Sequence, residues 1–230
     1  MKLHKNIILV ILVIFIPKTV LATVRIVCSA ALTDQYFEFR QQQYIDSFNI
    51  LARLGYPDFY VVEAVRKKGP TFLENYTKNV FYATVNNPRL RNNGINEAKT
   101  LLEGCRHFHF DPNDIIIKLT GRHSFITDYL IKLVENNQGF DAFVKVNEDE
   151  NAWTVGFAMR YKYFKEMFEN IDYDSVEKNM IPIEYKVGDY IKKQKKENTS
   201  FKVFYLDRLD IKANLYGSST CPGVNDITIF

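Results

Sequence analysis

Residues 113–125 read NDIIIKLTGRHSF. Asp111-Pro112-Asn113 is a turn signal, and the unbroken run Ile115-Ile116-Ile117 that follows suits a strand buried on both faces, the hallmark of a parallel sheet covered by helices. A polar turn, Lys118-Leu119-Thr120-Gly121-Arg122-His123, closes the run. Working outward, Val24 to Ala30 (VRIVCSA) is a β-rich run ending in small residues, and Phe59 to Val65 (FYVVEAV) is a second strand. Between them, Phe37, Tyr44, Phe48 and Leu51 recur at spacings of seven, four and three. That period predicts an amphipathic helix over Gln35 to Leu54, ended by Gly55 and Pro57.

The alternation continues downstream. Helices are expected over Asn96 to Cys105, Asp128 to Asn136 and Met159 to Asn170, and strands over Phe140 to Val146 and Trp153 to Tyr161. Strand and helix alternating at this pitch specify an α/β sandwich with a mostly parallel central sheet. With 230 residues, 47% hydrophobic and 25% charged, the chain suffices for one compact domain and is too apolar for disorder. No repeat or linker divides it.

The N-terminal 22 residues carry Lys2, Lys5 and Lys18 and no acid, and Ile7 to Ile16 are uninterruptedly apolar. Ten helical residues rise only about 15 Å, half of a hydrocarbon core of about 30 Å, so a secretory signal is expected rather than a span. Val20 and Ala22 fit the −3 and −1 positions of a cleavage site, giving a signal over residues 1–22, a body over 23–212 and a tail over 213–230. An uncleaved N-terminal anchor, giving membrane association, is the alternative. Without the three lysines the body holds 27 basic and 27 acidic residues, so it is neutral and no nucleic acid is expected as partner. Export or an endomembrane lumen follows. In such a compartment Cys28, Cys105 and Cys221 allow one disulfide, with all three pairings open. Asn75-Tyr76-Thr77 and Asn198-Thr199-Ser200 are glycosylation triplets.

In an open α/β sheet, ligands sit at the carboxyl ends of the strands. The polar residues expected there are Ser29, Glu63, and Lys118, Thr120, Gly121 and Arg122. Asn93 and Gly94, just before a helix, offer free backbone N–H groups to an anion. Glu63 would accept bonds from a ribose or base, Lys118 and Arg122 would face phosphates, and Gly121 would admit close backbone approach.

In this order, VRIVCSA, a long helix, FYVVEAV, NNGINEAKTLL and DIIIKLTGRH resemble the nucleotide-binding half of an A-type glycosyltransferase. NDIIIKLTGRHSF is similar to a K-[LIV]-[ST]-G-R-[YH] signature in glycosyltransferase-like proteins of microbes and large viruses. The segment from Trp153 to Ile191 is similar to the acceptor side of that class, so the resemblance spans about Val24 to Ile191. It implies a single-domain Rossmann-like sandwich that transfers sugar from a nucleotide-sugar donor to a glycan, lipid or protein acceptor. Such enzymes commonly carry an Asp-x-Asp metal motif where this chain reads KLTGR. The resemblance therefore implies either a metal-independent variant, with Lys118 and Arg122 supplying positive charge, or a degenerate site. Mn2+ or Mg2+ is the cation if one is used. The remaining acidic candidates for it are Asp172-Tyr173-Asp174, in a turn or helix start, and Asn147-Glu148-Asp149-Glu150, an acidic turn beyond a strand end and the better of the two, although most such runs are merely solvated.

For transfer with inversion, a carboxylate must deprotonate the acceptor hydroxyl. By position after the aromatic helix the candidates are Glu184, in the apolar IPIEY context, and Glu177; for Glu184 the competing reading is a helix N-terminal acid. His107 and His109 read as a surface turn, and Cys28 as a small core residue. His123 reads equally as a sugar or phosphate contact and as packing. The basic run Lys192 to Lys196 reads as a solvated helix end or an anion contact. The runner-up reading is a secreted, catalytically inactive relative that binds glycans or a protein. A nucleotidyltransferase fits less well, because no Gly-rich phosphate loop follows the first strand.

Overall fold

A computed structural model describes residues 22–34, 37–67, 69, 71–149, 151–214 and 227–229. Residues 1–21 of the expected signal segment, Glu150 and Cys221 lie outside the described residues. Strand β1 (Val24–Ala30) leads to helix α1 (Phe37–Arg53) and strand β2 (Tyr60–Glu63). Gly55, at φ +94°, turns the chain after α1 as its position predicts. Strand β3 (Asn79–Tyr82), helix α2 (Asn93–His107), strand β4 (Ile115–Thr120), the two-residue strand β5 (Ser124–Phe125) and helix α3 (Tyr129–Asn136) follow. The second half holds β6 (Ala142–Val144), β7 (Gly156–Arg160), α4 (Tyr161–Glu169), α5 (Tyr173–Lys178) and α6 (Ile183–Glu197). Strands β8 (Val203–Tyr205), β9 (Ile211–Asn214) and β10 (Ile227–Ile229) complete the order.

Seven strands form one sheet in the order β3-β2-β1-β4-β7-β6-β8, parallel except where β7 runs against β4 and β6. This is the expected α/β single domain with a mostly parallel sheet. A second antiparallel sheet, β10-β9-β5, uses Ala213 and Asn214, the first residues of the expected tail. None of the described helices is long and apolar enough to cross a membrane.

Strand parity divides the core in two. Ile26, Cys28 and Ala30 of β1 and Ile115, Ile117 and Leu119 of β4 pack with Tyr44, Phe48 and Leu51 of α1 and Leu130, Ile131 and Val134 of α3. Val27 and Ile116 face the other way, onto Ala98, Leu101 and Cys105 of α2 and the aromatic stripe of α4. Ile115, Ile116 and Ile117 are fully buried, each worth on the order of 1.5–3 kcal/mol relative to exposure. Cys28 and Cys105 are free and belong to opposite cores, so the pairing of those two is excluded. Burial raises the Cys28 thiol to about 12, against the opposing charge of Lys118, which makes it an inert core residue.

Three boundaries differ from expectation for local reasons. Helix α2 starts at Asn93, not Asn96, because the Asn92 side chain caps it, accepting the Gly94 N–H at 3.1 Å. Met159 belongs to β7, so α4 starts only at Tyr161. Strand β7 starts at Gly156, where a Cβ would stand 2.3 Å from Ile211 Cδ1.

Gly104 lets α2 lie close against the sheet, since a Cβ there would stand 2.3 Å from Val62 Cγ2. Gly104→Ala gains about 1 kcal/mol of helix preference and meets a β-branched side chain with little freedom to yield. Overpacking costs about 1–3 kcal/mol, so the expected outcome is net destabilisation, read as a lower urea midpoint with an unchanged slope. An equal or higher midpoint would show that this layer is loosely packed.

Candidate functional site

Because β1, β2 and β4 are parallel, their carboxyl ends lie at one edge of the sheet. There the Gly121 N–H donates to the Ser29 carbonyl at 2.8 Å. A Cβ on Gly121 would stand 2.8 Å from that oxygen and 3.3 Å from the Tyr44 ring, so the position requires glycine. The close approach made there is between two strand ends of this chain.

Parity sends Ser29, Lys118 and Thr120 to the α2 face. Lys118, only 2% exposed, ends among three acceptors. Its Nζ lies 2.9 Å from Glu97 Oε1 and donates to Thr120 Oγ1 at 2.8 Å and to the Thr154 carbonyl at 2.5 Å. Ser29 Oγ and Thr120 Oγ1 also donate to Glu97 Oε1, at 2.5 and 3.2 Å. Thr154 Oγ1 donates to Glu184 Oε1 at 2.7 Å. One continuous network thus joins Ser29, Glu97, Thr120, Lys118, Thr154 and Glu184. The gap it borders, between Gly94, Lys118, Thr154 and Ile183, is only about 10 Å³, room for about one water. Lys118, expected to face a phosphate, is therefore a buried anchor whose three donors are used.

Burial pushes the Glu97 carboxyl up, but the Lys118 charge and the bonds from Ser29, Lys118 and Thr120 outweigh it and hold the group below its ordinary value of 4.5. Glu97 was not among the expected site residues. Its signal was its phase: it shares the inner stripe of α2 with Gly94, Ala98 and Leu101, and the lysine it meets interrupts an otherwise apolar strand. Thr154 lies in the turn before β7 and carries no signal in the sequence.

The other expected residues divide between the two faces. Glu63 is fully buried on the α1 face with Ala30, opposite to Lys118. Its carboxylate accepts the backbone N–H groups of Leu32 at 3.2 Å, Val65 at 2.7 Å and Arg66 at 2.8 Å, pinning the loops after β1 and β2. Burial raises its pKa, against the pull of those N–H groups and of the Arg66 charge. Where a ribose or base was expected, Glu63 holds backbone. Glu177, half-buried on α5, accepts the N–H groups of Arg91 at 2.9 Å and Asn92 at 3.1 Å, which lower its pKa and hold the chain just before Asn93. Gly94 packs against Ile183, at 3.2 Å from a Cβ built on the glycine, so the N-termini of α2 and α6 meet there. Both oxygens of Glu177 are thereby committed, and Glu184 is the carboxylate that reaches the network.

Arg122 follows Gly121 beside Tyr44. Burial lowers its pKa; Tyr44 and Glu97 oppose that shift and the positive charge of Arg40 adds to it. Arg40 stands one turn before Tyr44 on α1 and donates from Nη1 to Thr33 Oγ1 at 3.0 Å. His123 is buried, and its Nδ1 accepts the Asn214 N–H at 3.0 Å. Burial and the charges of Arg122 and Lys118 lower it to about 3, so it is a neutral packing residue at ordinary pH.

Where a metal motif would follow β4, the chain places the Lys118 ammonium and the Arg122 guanidinium, which repel a cation. Asp172 caps α5 by accepting the Ser175 N–H at 3.0 Å, and Asn147 Oδ1 accepts the Asn151 N–H at 2.8 Å. Among the described residues no group of three or more His, Cys, Asp or Glu side chains is placed to hold a metal. His107 and His109 are exposed, and His107 stacks on Phe81 with ring centroids 4.4 Å apart.

Fold and site together define an α/β protein with a polar network closed over the carboxyl ends of a parallel sheet. No family model matches the chain, and no curated protein is similar to it. Among solved structures, an active-site mutant of LgtC is similar at TM-score 0.48 and 13% identity, covering 79% of this chain and 72% of that one. The galactosyltransferase LgtC in complex with donor and acceptor sugar analogs is similar at TM-score 0.46 and 12% identity, covering 78% and 72%.

Lys118→Met leaves the Glu97 carboxylate without its counter-charge, at an expected cost of about 3 kcal/mol. The pH dependence also shifts. With its pKa held low in the wild type, Glu97 contributes stability that is present above about 4.5 and lost as pH falls through the folded value. In the variant the Ser29 and Thr120 bonds remain but the Lys118 charge is gone, so burial is opposed less, the folded pKa rises, and this stability is lost at a higher pH than in the wild type. Urea midpoints followed from pH 7 down to about 4 read this directly. The same pH dependence in both proteins would refute the assignment.

Proposed function

We propose that the chain is a glycosyltransferase that binds a nucleotide-sugar donor outside the carboxyl ends of β1 and β4 and passes the sugar to a glycan, lipid or protein acceptor. The observation that carries this reading is the join of Ser29 to Gly121, which brings Arg122 and the Glu97-Lys118-Thr154-Glu184 network to one edge of the sheet. The resemblance of residues 113–125 and of the order of the surrounding segments supports it.

In this reading each residue has a distinct task. Glu184, half-buried at the start of α6, is oriented through Oε1 by Thr154 and takes the acceptor proton at its other oxygen. Arg122 meets the charge that develops on the departing diphosphate, with Arg40 beyond it. Lys118 and Glu97 act indirectly, by fixing Thr154 and the strand ends. No divalent cation is assigned a step. The exported or endomembrane location belongs to the same proposal, since a nucleotide sugar must be present where the protein resides.

A second reading, a catalytically inactive relative that binds a glycan or protein, is favoured by one observation: Glu63, Glu97 and Glu177 all hold structural groups. Calorimetric titration with UDP, GDP and their common sugar conjugates, with and without manganese, separates the two. The expected outcome is binding near the micromolar range, independent of manganese and weakened at least about tenfold by Arg122→Ala. Glu184→Gln is expected to lower turnover by about 10²–10⁴ while leaving KM nearly unchanged. Absence of nucleotide binding under both conditions would favour the second reading.

A further inference from the structure

Outside this site, the most built feature is a groove along the outer side of α1. Phe39, Gln42, Gln43, Asp46, Asn49, Ile50 and Arg53 recur at helical spacing and form one wall, and Ser124, Lys212 and Asn214 of β5 and β9 form the other. The cavity measures about 920 Å³, toward the upper end of the range of about 300–1,000 Å³ for sites that bind small molecules. The helix contributes this stripe because its opposite face, Tyr44, Phe48 and Leu51, is spent on the sheet. A polar stripe of this kind is normally a solvated surface. Here the small sheet rises beside it and turns it into a wall.

Three properties specify the ligand. First, the walls carry the amides of Gln42, Gln43, Asn49 and Asn214; Gln42 Nε2 already donates to Asp46 Oδ1 at 2.8 Å and Asn214 Nδ2 to the Arg122 carbonyl, which leaves each of these two a second N–H, and such amides pair with vicinal hydroxyls. Second, the lining holds one acid, Asp46, against two bases, Arg53 and Lys212, a net charge of only +1, while Ile50 and the Phe39 ring, 46% exposed, offer apolar surface to the C–H face of a sugar ring. Third, Gln43 is 8% exposed, and its Oε1 is buried with no hydrogen-bond partner, an acceptor that native structures seldom leave unmet.

We propose that this groove binds a neutral oligosaccharide. It is distinct from the strand-end network, and Asn214 links the two, its Nδ2 donating to the Arg122 carbonyl at 2.6 Å. The inference stands independently of the donor site. With Asp46 in its lining and a net charge of only +1, the groove offers little to a diphosphate, and its mixed amide and apolar lining tolerates several sugars.

The test is calorimetric titration of the full chain with lactose, chitotriose, mannotriose and maltotriose, each to about 10 mM. At least one is expected to bind, and the double variant Gln42→Ala/Asn49→Ala, in which both residues are exposed, is expected to weaken it at least about tenfold. Gln43→Leu is expected to weaken the same ligand, with its urea midpoint reporting whether the fold survives. Arg122→Ala, which tests the donor site, is expected to leave oligosaccharide binding intact. No binding by any of the four sugars would overturn the proposal. Binding insensitive to the double variant, or abolished by Arg122→Ala, would also overturn it by placing the sugar elsewhere.

Discussion

An ammonium shut off from water has to be neutralised where it stands, and Lys118 sits in the middle of a sheet with 2% of its surface exposed. Glu97 reaches it from α2, Thr120 from the same strand, and the Thr154 carbonyl from the turn before β7. Those contacts fix the helix, the strand and the reversed connection relative to one another. Through the Thr154 hydroxyl the same chain of bonds extends to α6 and Glu184. The catalytic geometry proposed for this protein therefore depends on an ion pair that touches no substrate.

Strand parity explains why the polar residues at this edge do different work. Lys118, Thr120 and Ser29 project toward α2 and close into a network, whereas Glu63 projects toward α1 and captures three backbone N–H groups. Each carboxylate removed from water must find donors, and backbone amides of neighbouring loops are the nearest supply. Gly121 permits the strand ends to touch and puts Arg122 beyond the network. In the proposed donor site the task of meeting external negative charge therefore falls to Arg122, one residue past the glycine, and not to Lys118.

Much of this was legible in the sequence. VRIVCSA is β1 to the residue, the helical period of Phe37 to Leu51 is α1, and the triple isoleucine lies at the centre of the sheet. These readings rest on burial with a period, which is a local property of the chain. Ser29, Lys118 and Thr120 were also found, because polar residues ending apolar runs lie at strand ends. The short strands β3, β5, β8, β9 and β10, of two to four residues, were not.

The sequence by itself determined an α/β domain, the identity of its central strand and the edge at which polar side chains gather. Tertiary structure alone decided what each of those side chains faces. A strand's parity names two faces without saying which helix covers each. Glu97 and Lys118 are 21 positions apart and Thr154 and Glu184 are 30 apart, so their meeting depends on how whole elements pack. The sign and partner of a buried charge are set by that packing, and for this reason Lys118 became an anchor of the fold.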